Sequence, residues 1–159
     1  METAQETTTA FDVNGAPARV RQTDFSPGSG NALQACVAAV LRLGLDEVPN
    51  FVVAPEGYTA AIDAFLRTPV PPRPSLTLRR RPLPWGGDDS AASADVGRVC
   101  ILRGVSPRGD FGHVVVARLA GAAPTATFEL LWDPHPDDTF LDATKPFGWA
   151  AFFDRVALA

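Results

Sequence analysis

The order of two hydrophobic patterns constrains the fold of this chain more than any other feature. Apolar residues at helical spacing come first, with Leu33, Cys36, Val37, Val40 and Leu41 on one stripe. Asn31 stands where its side-chain oxygen can cap that helix by accepting from a backbone N–H two or three residues on, and Gly44 can end it after about Leu43. A second helix is predicted over Thr59–Leu66, with Ala61, Ile62, Phe65 and Leu66 inward. Strand-like runs come last: Arg98–Arg103, the β-branched His113–Leu119 and Thr127–Trp132, separated by turns at Ser106–Asp110 and Gly121–Pro124. Phe147–Val156 reads as a closing strand or a short helix. Helices before strands predict an α+β fold, with an N-terminal helix packed on a C-terminal antiparallel sheet.

Between the halves, Asp46–Phe51 reads as a turn and short connection, and Pro69–Pro74 as extended or looped. Leu76-Thr77-Leu78 alternates like a strand, and Pro82–Ser93, with Trp85, reads as a long irregular loop. The short segment Ala18–Thr23 reads as extended. Residues 1–17 are expected to be a flexible N-terminal segment, polar and rich in Thr and Glu at its start, and residues 18–159 a single domain.

Composition excludes several functions. A net charge of −4, with no basic face interleaved with aromatics, argues against nucleic acid. Arg79-Arg80-Arg81 reads as a solvated strand end or loop rather than a binding patch. No apolar run is long enough to cross a membrane, and the polar start lacks the basic and apolar regions of a signal peptide. Two cysteines, Cys36 and Cys100, make no disulfide framework, so a cytoplasmic location is expected.

The chemistry-bearing residues fall in a definite order. Position 32 is the first helical residue after Asn31, where unpaired N–H groups and the helix dipole would stabilise a thiolate, yet the residue there is alanine. His113 starts a strand directly after Gly112, whose missing side chain permits close backbone approach. Asp133 ends the next strand, so a hairpin would bring both to one sheet edge, the carboxylate fixing the tautomer of the imidazole. The bland alternatives are a solvated histidine and an Asp-Pro turn.

Gly30-Asn31-Ala32-Leu33-Gln34-Ala35-Cys36 resembles the Asp/Asn-Cys-x-x-x-Cys start of papain-like cysteine peptidases and amidases, in the bacteriocin-processing branch. Leu43–Phe51 and Trp132-Asp133-Pro134-His135-Pro136 look like a small bacterial and phage branch of that superfamily. The resemblance covers about residues 21–51 and 112–136. It implies a papain-like fold, a nucleophile at position 32, His113 as general base and acid, and Asp133 as the orienting carboxylate. Gln22 would be the oxyanion glutamine, with the Ser26–Gly30 loop inserted between it and Ala32. Cys36 falls on the second, non-catalytic cysteine of the pattern. As a rival nucleophile it lies one turn into the helix among apolar residues, the usual setting of a structural thiol, and Cys100 lies inside a strand.

Asn31, Trp132 and His135 are candidate substrate contacts, and Trp85, Trp132, Phe147 and Trp149 are candidates for a groove or for the core. A metal site built from Asp133, His135, Asp137 and Asp138 with His113 is a rival reading, but two prolines stiffen the segment and no HExxH pair exists, so neither metal nor cofactor is expected. The expected activity is peptide or amide hydrolysis, or acyl transfer, through a thioester. The expected partner is a peptide or amide-containing small molecule. With Ala32 in the nucleophile's place this chain is expected to be inactive. The intact remainder favours a replaced cysteine, and the alternative is a natural pseudopeptidase that binds peptides without catalysis.

Overall fold

The computed structural model describes residues 11–84, 93–122 and 125–156. The N-terminal helices pack on a five-stranded antiparallel sheet, an α+β fold. Helix α1 spans Ala32–Leu41 and α2 spans Tyr58–Arg67, with single 3₁₀ turns at Leu45–Glu47 and Phe51–Val53 between them. The strands are β1 (Leu76–Pro82), β2 (Val99–Val105), β3 (Gly112–Gly121), β4 (Thr127–Trp132) and β5 (Trp149–Arg155). Their order in the sheet is β1-β5-β2-β3-β4. The closing segment is therefore a strand, and it inserts between β1 and β2. Among the described residues no helix is long and apolar enough to cross a membrane.

Helix α1 is buried nearly all round, eight of its ten residues lying in the core, whereas a single stripe was expected. The small residues Ala35, Ala38 and Ala39 let the chain before the helix lie close, and Ala18 N–H donates to Ala39 O at 2.8 Å. Within the 1–17 segment, residues 1–10 lie outside the described residues. Residues 11–17 are held on the domain: Phe11 and Val13 pack on the core, Asn14 Oδ1 accepts from Val99 N–H at 3.0 Å, and Arg42 donates to Ala16 O at 3.4 Å. The helix ends at Arg42 in the left-handed conformation (φ 57°), not at Gly44. Its side-chain bonds to the N-terminal segment and its own N–H to Ala38 and Ala39 carbonyls hold that conformation.

Both faces of the sheet are covered. Val99, Ile101, Val114, Val116 and Phe153 meet the helices. Cys100, Leu102, Val115, Ala117 and Phe152 form a second core under Leu141 and Phe147, supplied by the long return from β4 to β5. Period-two alternation puts neighbours on opposite faces, and with both faces dry, β2 and β3 are continuous apolar runs. Arg79-Arg80-Arg81 lies in the C-terminal half of β1, the strand-end alternative rather than the loop; Arg79 pairs with Asp95 and Asp154, and Arg80 donates to the Tyr58 hydroxyl at 2.6 Å.

Candidate active site

Three elements bring the site together. The first is the start of α1. Asn31 does not cap the helix; its Oδ1 accepts from Thr23 and Asp24 N–H (2.9 and 2.8 Å), and its Nδ2 donates to Thr23 Oγ1 and Gln34 Oε1. The cap expected from sequence is thus replaced by a clamp on the loop that precedes the helix. The first-turn N–H groups have no intrahelical acceptor and, among the described residues, receive no side-chain cap, and Ala32 and Leu33 lie in the wall of a cleft.

The second and third elements are the start of β3 and the end of β4. Their hairpin register sets Val116 opposite Trp132, with a shift at Val116/Ala117 that kinks the strand just before Asp133. His113 Nε2 lies 2.8 Å from Asp133 Oδ1, both side chains buried. Oδ1 also accepts from His135 N–H at 3.0 Å, and Oδ2 from Phe140 N–H at 2.8 Å. Burial pushes the Asp133 carboxyl up, but the bonds from His113, His135 and Phe140 outweigh it and hold the acid below the ordinary carboxylate range. An ionised Asp133 accepts Nε2–H, so neutral His113 keeps its lone pair on Nδ1. Among the described residues Nδ1 has no hydrogen-bond partner, and the ring lines the same cleft as Ala32. The link between helix and histidine is short: Cys36, one turn beyond Ala32, donates its S–H to Val114 O at 3.5 Å, the residue after His113.

That cleft has a volume of about 580 Å³ and is walled largely by apolar side chains, among them Phe25, Leu33, Val52, Phe111 and Trp149. Gln22 lines it too. Its backbone N–H donates to Pro134 O at 3.0 Å and its Nε2 to Asp24 O at 3.1 Å, which leaves one amide hydrogen over. Its Oε1 is buried and, among the described residues, has no partner. His135 also lines the cleft, its ring edge-on to Phe25 at 5.0 Å and to His113 at 6.4 Å.

Other candidates fall elsewhere. Trp132 stands outside the cleft; its Nε1 donates to Val20 O at 2.8 Å and Arg21 stacks on its ring at 4.1 Å. Asn31 is behind the wall, and Phe147 is in the second core. Trp85 lies outside the described residues. Cys36 and Cys100 are fully buried; burial pushes the Cys36 thiol well above its ordinary value and the Cys100 thiol up to about 12. Neither is a thiolate at neutral pH. The acids of the rival metal reading have other partners: Asp137 pairs with Arg108 at 3.0 Å and Asp138 with Arg21 at 2.8 Å. Among the described residues no group of three His, Cys, Asp or Glu is arranged to hold a metal ion. Sequence reasoning passed over Arg103, which lines the cleft beside His113; a lone arginine in a strand gives no local signal.

Fold and site together define an α+β protein with a buried His–Asp pair opening on an apolar cleft at a helix N-terminus. Comparison with protein-family models, curated proteins and solved structures finds no match for the chain.

Proposed function

We propose that this chain is a papain-like cysteine hydrolase scaffold whose nucleophile position holds Ala32. The observation that carries the reading is the buried 2.8 Å contact between His113 Nε2 and Asp133, with Nδ1 left open in the cleft that the uncapped start of α1 also lines. A histidine used only for packing would have no need of an ionised, triply bonded carboxylate behind it.

With cysteine at position 32 the chemistry runs as follows. Nδ1 of His113 takes the thiol proton, and the thiolate, favoured by the helix start, attacks the carbonyl carbon of an amide. The oxyanion is met by backbone N–H groups of the first turn and by the remaining amide hydrogen of Gln22. His113 returns the proton to the leaving amine, giving a thioester that water, or a second nucleophile, then attacks with His113 again as base. Asp133 holds the ring and stabilises its charged form. The chain as it stands can bind such a substrate but cannot form the thioester. A peptide-binding pseudopeptidase is the second reading, favoured by the alanine itself.

Introducing Ala32→Cys is the test. The variant should react rapidly with iodoacetamide at neutral pH at that position alone, since Cys36 and Cys100 are buried and protonated. It should also accumulate an acyl-enzyme with an activated amide or ester, seen by mass spectrometry. A thiol no faster than free cysteine would rule the catalytic reading out.

A further inference from the structure

Resting on that catalytic reading for its substrate class, we infer that Arg103 is the anion-recognition residue of the cleft, and that the substrate carries a carboxylate next to an apolar group. Arg103 is on β2, exposed, with Val114 of β3 and Trp149 of β5 as its register partners. Its guanidinium lies against Gly112, immediately before His113; a Cβ on Gly112 would overlap it. The glycine that sequence reading assigned to close backbone approach therefore makes room for this cation.

The other arginines near the site are engaged. Arg108, also in the cleft wall, is bound to Asp137 and Thr139. Arg21 is bound to Asp138 and to the carbonyls of Asp133 and His135. Arg103, among the described residues, has no hydrogen bond or ion pair from its guanidinium. It stands at the junction of the main cleft and a smaller hollow of about 330 Å³. An open planar fork of donors beside an apolar wall complements a carboxylate attached to an apolar or aromatic group. Placed next to His113, it would hold that carboxylate close to the bond being cleaved.

The experiment uses the chain as it stands, with Ala32. N-acetylphenylalanine and its uncharged carboxamide are titrated while the backbone amide signals of Gly112 and His113 are followed by NMR. The acid should bind at least about tenfold more tightly than the carboxamide, and Arg103→Gln should abolish the difference. Gly112→Ala, which keeps the charge but displaces the guanidinium, should also reduce it. A third probe, a phenylalanyl-aspartate dipeptide blocked at both ends, carries only a side-chain carboxylate; whichever acid binds more tightly identifies a terminal or a side-chain source. Equal binding of acid and carboxamide, a preference that survives Arg103→Gln, or no binding of any probe at millimolar concentration overturns the inference. Iodoacetamide is neutral, so the Ala32→Cys test reads the catalytic proposal separately. A carboxylate preference with an unreactive thiol keeps the anion site and removes the catalysis; a reactive thiol with no preference does the reverse.

Discussion

At the β1–β5 side of the sheet, Arg79, Arg98, Asp95 and Asp154 close on one another; at the β3–β4 side, His113 and Asp133 leave one ring nitrogen open. In the first cluster Arg79 holds Asp95 through both terminal nitrogens (3.0 and 2.8 Å) and Asp154 through Nε (2.7 Å). Arg98 bridges the same two acids and donates to Phe153 O. The bonds from Asp95 and Asp154 raise the Arg79 pKa above its already high ordinary value. In the second cluster the acid, Asp133, is fully buried and fully bonded, but its partner is an imidazole with a second ring nitrogen to offer. Both clusters order the sheet. Only the open one has an atom left with which to do chemistry, and only it borders the apolar cleft.

The largest expected effect breaks the open cluster. In the Ala32→Cys background, Asp133→Asn should lower the acylation rate by about 10²–10⁴, because the amide no longer fixes the Nε2–H tautomer or stabilises charged His113. Single-turnover acylation reads this directly. An unchanged rate would mean that Asp133 is there for the loop it ties through His135 and Phe140.

Removing an acid from the closed cluster should do the opposite. Asp95→Asn leaves an amide facing two arginines, and a loss of about 2 kcal/mol is expected, less than for a fully buried pair because both arginines reach solvent. Urea denaturation measures it. Reactivity at position 32 should not change, and a parallel loss of both would show that the two clusters are coupled through β2 and β3.

What the sequence made legible follows the same division. The His113–Asp133 pair could be read because a hairpin joins its members and each stands at a strand end, so local pattern places both. The closed cluster could not: Arg79 and Asp154 are far apart in sequence and meet only because β5 inserts between β1 and β2. Asn31 departs from the cap its position predicts for a similar reason. Its local option, a helix cap, lost to Thr23 and Asp24, which the loop brings back from eight and seven residues away. Arg42 took the left-handed position ahead of Gly44 because its side chain reaches the N-terminal segment. An aromatic beside a candidate acid looks the same in sequence whether it lines a groove or stands outside it; the bond to Val20 O and the stacked Arg21 hold Trp132 outside the cleft.

Acid should destabilise both clusters. For Asp154, burial raises the pKa, but the bonds from Arg79 and Arg98 more than offset it; Asp133 is likewise held low. A carboxyl whose folded pKa lies below its unfolded value stabilises the protein above the unfolded value, near pH 4, and loses that contribution as pH falls through the folded one. Stability should therefore be flat above about pH 5 on this account and fall below pH 4. Asp154→Asn and Asp133→Asn should each make that fall shallower, measured as melting temperature against pH. An unaltered acid limb in both variants would assign the loss to other carboxyls.

The smallest effect should come from the salt bridge that touches the open cluster from outside. Arg21 and Asp138 pair at 2.8 Å, but both side chains are more than a third exposed. Asp138 has a positive φ of 56°, so asparagine, which tolerates that conformation, is the replacement that removes the charge without adding strain. Arg21 would still stack on Trp132 and bond the carbonyls of Asp133 and His135. Asp138→Asn should therefore cost no more than about 1 kcal/mol and leave reactivity at position 32 within about twofold. A larger fall in reactivity with unchanged stability would mean that the surface pair tunes the position of Asp133 through Arg21. The open cluster would then extend to the protein surface, and its contrast with the closed one would rest on the free Nδ1 alone.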